Sequence, residues 1–238
     1  MTRRPRLALG TAIACAVLPI ALALTGCDAL GGLGTAAHYP AATSFTIGSR
    51  VTTLVVDAGS GSVDVTGAAR STVGVSQQAS YSKTAPVARH VLSGTTLTLS
   101  YSCPGELFCS ISYTVQVPRA VAVRVAGGAG AVTLTSLAGP ATAQTSAGLI
   151  TAVNLTSAEV SLKSDAGGII ATSSAPPLSL HASTSVGPIT LTVPGSVAYK
   201  ISTRTFVGTS NITVRKSARS PYAISASSDI GSISISPS

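Results

Sequence analysis

The chain has 238 residues, of which 45% are hydrophobic and only 9% are charged, with 15 Lys and Arg against 7 Asp and Glu. Its Val, Ile and Leu residues recur at regular spacings, which argues against a disordered chain of the same composition. It has no Trp, three Phe and six Tyr, so few rings are available to stack on nucleic-acid bases. Composition therefore favours a folded domain that does not bind nucleic acid.

The first 26 residues predict an export signal. Three arginines within the first six residues precede an uncharged, mostly apolar run, 7–24, which leads into Leu24-Thr25-Gly26-Cys27. A basic head, an apolar middle and small residues at the end are typical of a signal peptide. A retained membrane helix is less favoured, because 18 residues is near the lower limit for spanning and Pro19 interrupts the run. The ending resembles the bacterial lipobox, which implies cleavage after residue 26 and lipidation of Cys27. The arginine pair at positions 3 and 4 leaves the general and twin-arginine export routes open.

Lipidation predicts attachment to the outer, extracytoplasmic face of the cell membrane, since two or more acyl chains hold a protein firmly on a bilayer. Residues 27–44 contain three glycines and no apolar periodicity, so we expect the lipidated cysteine to be followed by a flexible tether. Removal of the signal would leave 212 residues with a net charge of +5. That length suits one all-β domain at 45–238.

A glycine-led phrase recurs in the second half of the chain. It reads Gly130-Ala-Val-Thr-Leu134, Gly187-Pro-Ile-Thr-Leu191 and Gly231-Ser-Ile-Ser-Ile235, with looser copies at Gly148, Gly168 and Gly208. The steps of 18 to 23 residues indicate repeats that bury their apolar sides by stacking. Strict alternation before each glycine, as in Val121, Val123 and Val125, predicts a half-buried strand that ends at a glycine corner. The sequence thus predicts a β-helix-like solenoid, with regular coils of about 20 residues over 119–238.

Residues 68–118 are the least repetitive part of this domain. Alternating apolar residues at 95–101 and 111–117, with a Pro-Gly turn signal between them, predict an antiparallel hairpin. Cys103 and Cys109 are expected to form a disulfide at its tip, because closely spaced thiols oxidise outside the cytoplasm. A metal site or a redox pair is less favoured, because no His is near and the spacing is not Cys-x-x-Cys. We expect 68–118 to cap the first coil, which repeats the glycine phrase at Gly61, and so to protect its strand edges.

Three segments resemble the bacterial adhesin domain of the DUF4097 type. They are Val115-Gln-Val-Pro118, Val123-Arg-Val125 and Val132-Thr-Leu-Thr-Ser-Leu-Ala-Gly139. The resemblance covers about 51–238. It implies a β-solenoid-like domain of the cell envelope with an adhesin role, and it offers no catalytic residues to transfer.

The sequence carries no catalytic or cofactor motif that we recognise. It has no Gly-x-Ser-x-Gly elbow and no His-Glu-x-x-His, so neither an enzyme nor a cofactor nor a metal is predicted. Asp57 and Asp64 flank one corner and could approach each other, although an Asp beside Gly-Ser more often bonds its own backbone in a turn. Asp165 and Asp229 are expected three coils apart, about 14 Å, which exceeds the roughly 5–9.5 Å between paired glycosidase carboxylates. A glycan-acting enzyme is the least favoured function.

Basic residues recur on the outward side of the strand that precedes each glycine. They are Arg124, Lys163, His181, Lys200 and Arg204. A continuous basic face could attract an anionic cell-wall polymer or lipid head groups. Lys and Arg also keep surfaces soluble and strand edges unpaired, so this alternative stays open. We expect an adhesin-like binding or scaffold domain of the envelope, with an envelope-stress sensor or structural spacer that binds a protein partner as the alternative.

Overall fold

The computed structural model describes residues 39–105 and 108–238, and they form an all-β domain as predicted. The predicted signal peptide, Cys27 and the tether up to residue 38 lie outside the described residues. Over the described ranges no helix is long and apolar enough to cross a membrane.

The strands form two mixed sheets, in which most neighbours are parallel. The ten-stranded sheet has the order β1 (Tyr39–Ile47), β4 (Val73–Tyr81), β7 (Cys109–Pro118), β3 (Val63–Ala68), β9 (Val132–Thr135), β11 (Ile150–Leu155), β13 (Ile169–Ser173), β15 (Ile189–Val193), β19 (Ile233–Pro237), β17 (Ser210–Ile212). The nine-stranded sheet has the order β16 (Lys200–Val207), β18 (Ala223–Ile230), β14 (Ser179–Val186), β12 (Glu159–Ala166), β10 (Ala141–Ala147), β8 (Ala122–Ala129), β2 (Thr53–Gly59), β6 (Thr96–Ser102), β5 (Val87–Ser93). Antiparallel pairing joins β1 to β4, β4 to β7 and β5 to β6.

The chain builds this domain from two-strand units, each with its first strand in the nine-stranded sheet and its second in the ten-stranded sheet. The units are β2–β3, β6–β7, β8–β9, β10–β11, β12–β13, β14–β15, β16–β17 and β18–β19. Neighbouring units are in register, so that Leu54, Val123 and Ala141 lie side by side, and all three are buried. Each strand's alternate apolar residues therefore form continuous columns between the sheets, which is the burial that the period-two pattern predicts.

The units do not stack in chain order at either end. Unit β2–β3 lies between β6–β7 and β8–β9, and unit β18–β19 lies between β14–β15 and β16–β17. The last unit along the chain is therefore not the last unit of the sheets. Sequence periodicity could not reveal this order, because it records the spacing of the units and not their neighbours.

The predicted hairpin between 95–101 and 111–117 is wrong. β6 pairs with β5 and β2 in one sheet, whereas β7 pairs with β4 and β3 in the other. In β6 and β7, buried and more exposed residues alternate as they do in the other units, and the two strands form a unit of their own. The predicted disulfide closes the loop between them. That disulfide, Cys103–Cys109, is present with its Cα atoms 5.9 Å apart. The antiparallel strands of 68–118 are instead β4 and β5, which lie beyond this unit.

The predicted tether extends too far. β1 begins at Tyr39, and it pairs antiparallel with β4 from Tyr39 opposite Tyr81 to Ile47 opposite Val73. Small residues at 41–44 conceal the alternation, so the backbone pairing and not the apolar pattern defines this strand.

The corner glycines come closer to the neighbouring unit than any other residue could. A Cβ on Gly148 would lie 2.1 Å from the carbonyl oxygen of Gly130, and one on Gly187 would lie 2.4 Å from that of Gly167. The φ angles of this glycine column run from 145° to 156°, which L residues rarely adopt. Its members with positive φ, in stacking order, are Gly130, Gly148, Gly167, Gly187, Gly231, Gly208. The sequence predicts this corner at Gly168, whereas the structure places it one residue earlier, at Gly167.

A hydroxyl side chain three residues before most of these glycines bonds to the same column. Ser164 Oγ donates to the Gly148 carbonyl at 3.0 Å, and Thr184 Oγ1 donates to the Gly167 carbonyl at 2.8 Å. Ser228 donates to Gly187, and Thr205 donates to Gly231, which reproduces the unit order at the end of the sheets. The bonds satisfy these hydroxyls where burial would otherwise penalise them.

Replacing Gly167 by Ala should destabilise the domain by on the order of 3 kcal/mol, because of backbone strain and the clash with Gly148. The matched control is Gly168→Ala, whose Cβ would meet its nearest atom, the Pro188 carbonyl oxygen, at 3.2 Å and whose φ is not in the left-handed range. Thermal unfolding of the two variants checks this. Equal losses would contradict the assignment of the corner to Gly167.

Tyr113 on β7 is buried, and its hydroxyl has no hydrogen-bond partner among the described residues. Burial, together with the smaller effects of the nearby charges of Tyr101 and Asp57, raises the pKa of Tyr113 from 10.0 to about 12. The hydroxyl of Tyr101 instead accepts a hydrogen bond from the Ser60 N–H at 2.8 Å.

Tyr113→Phe should stabilise the domain or leave it unchanged at neutral pH, because it removes a buried, unpartnered hydroxyl. Between pH 10 and about 12 the folded state keeps this proton while the unfolded state loses it, so wild-type stability falls as pH rises through that window. The variant should lack this part of the alkaline loss. Tyr101→Phe, the control, should cost about 1 kcal/mol at neutral pH. Denaturant unfolding at several pH values measures both, and a Tyr113→Phe variant with the wild-type alkaline slope would refute the prediction.

Candidate functional site

The five predicted basic residues all lie exposed on the outward face of the nine-stranded sheet. They are Arg124 on β8, Lys163 on β12, His181 on β14, and Lys200 and Arg204 on β16. We call a row of residues that pair with one another across neighbouring strands a ladder. The five basic residues belong to three different ladders, so they do not form one line of adjacent cations.

The first ladder contains Arg124, Thr142, Ser161 and His181 on four successive strands. Three strand spacings separate Arg124 from His181, about 14 Å. With Glu159, these residues line a groove of about 490 Å³. The groove thus offers hydroxyls between a guanidinium and an imidazole, with a carboxylate at one side.

The second ladder contains Lys163 and Arg204, with Ser183 and Ser227 between them. Lys163 Nζ lies 3.6 Å from Asp165 Oδ1, and both side chains are about half exposed. Such a solvated pair adds little to stability, but it offsets the charge of Lys163. The third ladder places Lys200 in line with Ala223, Ser179 and Glu159. Hydroxyls and small residues therefore separate the cations on this face.

Further cations lie in the part of the chain next to the end of the nine-stranded sheet. Lys200 and Arg204 lie on the last strand, β16, and three more exposed cations lie in the connection from β17 to β18. We call these five residues the end cluster: Lys200, Arg204, Arg215, Lys216, Arg219. The sequence contains no Asp or Glu from 166 to 228. The prediction followed outward strand positions and missed the last three, although the short basic run at 215–219 was visible.

The predicted carboxylate pairs are not assembled into a site. Asp57 and Asp64 lie on the outward faces of different sheets. Asp165 and Asp229 lie two strand spacings apart, about 10 Å, and not three, because β18 follows β14 directly. Both are exposed, and neither contributes to the groove. Among the described residues no group of three or more His, Cys, Asp and Glu could hold a metal ion.

The fold is similar to two crystal structures of bacterial proteins. One is described as a "putative cell adhesion protein" from Clostridium sporogenes, with 15% identity, a TM-score of 0.51, and 84% of this chain and 100% of that chain covered. The other is described as a "putative adhesin" from Bacteroides fragilis, with 14% identity, a TM-score of 0.51, and 84% and 97% covered. At such identities the likeness shows a shared fold. No family model and no curated protein sequence matches the chain.

Proposed function

We propose that the protein is a membrane-anchored, extracytoplasmic lipoprotein whose stacked units form a β-solenoid-like, adhesin-like binding or scaffold domain of the cell envelope. The lipobox-like ending at Cys27 supports the anchor and the outer location. The similarity to two structures described as adhesion proteins supports a binding role and not an enzymatic one. The DUF4097-type pattern at 115–139 agrees with this fold.

The outward face of the nine-stranded sheet is the proposed contact surface, and its partner is an anionic polymer of the cell wall. The observation that carries this proposal is the in-register ladder of Arg124, Thr142, Ser161 and His181 along the groove. In-register parallel strands hold these groups at a repeat of about 4.8 Å. A polymer with regularly spaced anionic and hydroxyl groups can meet several of them at once, and each contact adds to the others.

Charge attraction of this kind depends on ionic strength, because exposed charges are screened within about 10 Å at 0.1 M salt. Full-length protein in mild detergent should therefore sediment with isolated cell walls at low salt and be released at high salt. The double variant Arg124→Ser with Lys163→Ser should lose most of this retention, since both cations lie on the face.

The double variant Arg50→Ser with Lys83→Ser removes the same charge from exposed sites outside that face, and it should sediment as the wild type does. Cys27→Ser should also sediment, which separates wall binding from the lipid anchor. Failure of the wild type to sediment at low salt, or equal losses in the two double variants, would rule out this surface as the wall contact.

A sensor or spacer that binds a protein partner is the second candidate. It is favoured by one specific feature, the open edge of β16 at the end of the nine-stranded sheet.

A further inference from the structure

The unit β16–β17 ends both sheets, and its core side is less covered than that of any unit between β8–β9 and β18–β19. On β18 the inward residues Ile224, Ala226 and Ser228 are each 1% exposed. On β16 the residues in the same positions, Ile201, Thr203 and Thr205, are only half-buried. The columns of the core are therefore less fully covered at this end than between the inner units.

Within the part of the chain that the structure describes, the backbone of β16 is also paired on one side only from Lys200 onward. Lys200 N–H donates to the Tyr222 carbonyl at 2.8 Å, so residue 200 directs its amide toward β18. Successive residues of a strand direct their amides to opposite sides. The amides of Ile201, Thr203 and Thr205 therefore point to the open edge.

The chain itself begins another strand along this edge and then leaves it. Tyr199 N–H donates to the Arg215 carbonyl at 2.9 Å, and Ser217 N–H donates to the Tyr199 carbonyl at 2.9 Å. This isolated parallel bridge pairs Tyr199 with Lys216. After Ser217 the chain turns away, with a 3.2 Å bond from the Ser220 N–H back to the Ser217 carbonyl. From Ile201 onward, no strand of the described residues pairs with this edge, although its backbone has the geometry to accept one.

The side chains around this edge combine positive charge with exposed apolar surface. Phe206 is 84% exposed, and Val207 is 54% exposed next to Ile230. The end cluster supplies five cations, of which Lys200 and Arg204 project outward from β16 itself. Lysine on an edge normally repels chance pairing with another strand. This repulsion is weakest for a strand that carries acidic residues. It disfavours pairing with the same basic edge of a second copy of this chain.

We propose that β16 is a docking edge for an extended segment of a partner protein, in which acidic and apolar residues alternate, and that the segment adds as a further strand of the nine-stranded sheet. Its acidic residues lie beside Lys200 and Arg204 on the outer face. Its apolar residues cover Ile201 and Thr203 on the inner face. Backbone bonds supply affinity and the alternating side chains supply specificity, as in other cases of strand addition. Lys200 and Arg204 also lie on the outward face that is the proposed wall contact, but strand addition uses the edge amides of β16, which the wall contact does not need. The two proposals therefore stand or fall independently.

The probe is a fluorescent peptide of seven residues in which Glu and Val alternate, tested by anisotropy against full-length protein in mild detergent. Two control peptides accompany it. One replaces Glu by Lys, and the other keeps the acidic sequence but carries N-methyl groups on alternate amides, which block strand pairing and preserve the charge. The acidic peptide should bind, the basic peptide should not, and N-methylation should weaken binding by about tenfold or more through lost backbone bonds.

Thr203→Pro is the matched change in the protein. It removes an amide that points to the open edge and leaves the bonds between β16 and β18 in place, so the melting temperature should change little while peptide affinity falls by about tenfold. Lys200→Glu with Arg204→Glu should exchange the preference, so that the Lys peptide binds instead. If Thr203→Pro fails to fold, the N-methylated peptide on the wild-type protein decides the question.

Two outcomes would overturn the proposal. The first is no binding of the acidic peptide up to its solubility limit. The second is equal binding of the plain and N-methylated acidic peptides, which would show a charge contact with an anionic chain and not strand addition. Neither outcome depends on wall sedimentation by the outward face.

Discussion

The close approach of the corner glycines is the constraint on which the rest of the fold depends. Each glycine in the column leaves room for the carbonyl oxygen of its neighbour, and a single Cβ would close that space. Because the corners fit together in this way, the strands next to each corner pair in register with those of the neighbouring units. The register in turn aligns the buried columns and the outward ladders. The surfaces proposed to bind partners are therefore consequences of a packing requirement at the corners.

The order in which the units meet decides which of them ends the sheets. The C-terminal unit β18–β19 is enclosed on both sides, and the unit before it in the chain is exposed. This arrangement buries the chain's last strands and presents β16 with its cations and Phe206. A stack in simple chain order would instead place the Ser-rich β18, which carries Asp229, at the edge of the sheet. The difference changes the charge, the apolar surface and the edge that a partner would meet.

Much of the fold could be predicted from the sequence because the physics behind it is local. Alternation of Val, Ile and Leu predicts the strands, and glycine at a fixed spacing predicts the corners. The order of the units could not be predicted, since Leu180 could have either Ile201 or Ile224 as its neighbour in the buried column equally well. The outward positions of Arg124 and His181 followed from alternation. The end cluster did not, because Arg215, Lys216 and Arg219 lie in a connection with no period.

The pairing order at the end of the nine-stranded sheet is the claim that the account most depends on, and cross-linking tests it directly. Ser183 and Ser227 are in-register neighbours on β14 and β18, whereas Ser183 and Arg204 have β18 between them. A disulfide needs Cα atoms within about 7 Å, so adjacent strands can form one, and strands about 10 Å apart cannot. Ser183→Cys with Ser227→Cys should form a disulfide under mild oxidation, seen by mass spectrometry, and Ser183→Cys with Arg204→Cys should not. The reverse result would mean that the units stack in chain order, and β16 would then not be the open edge.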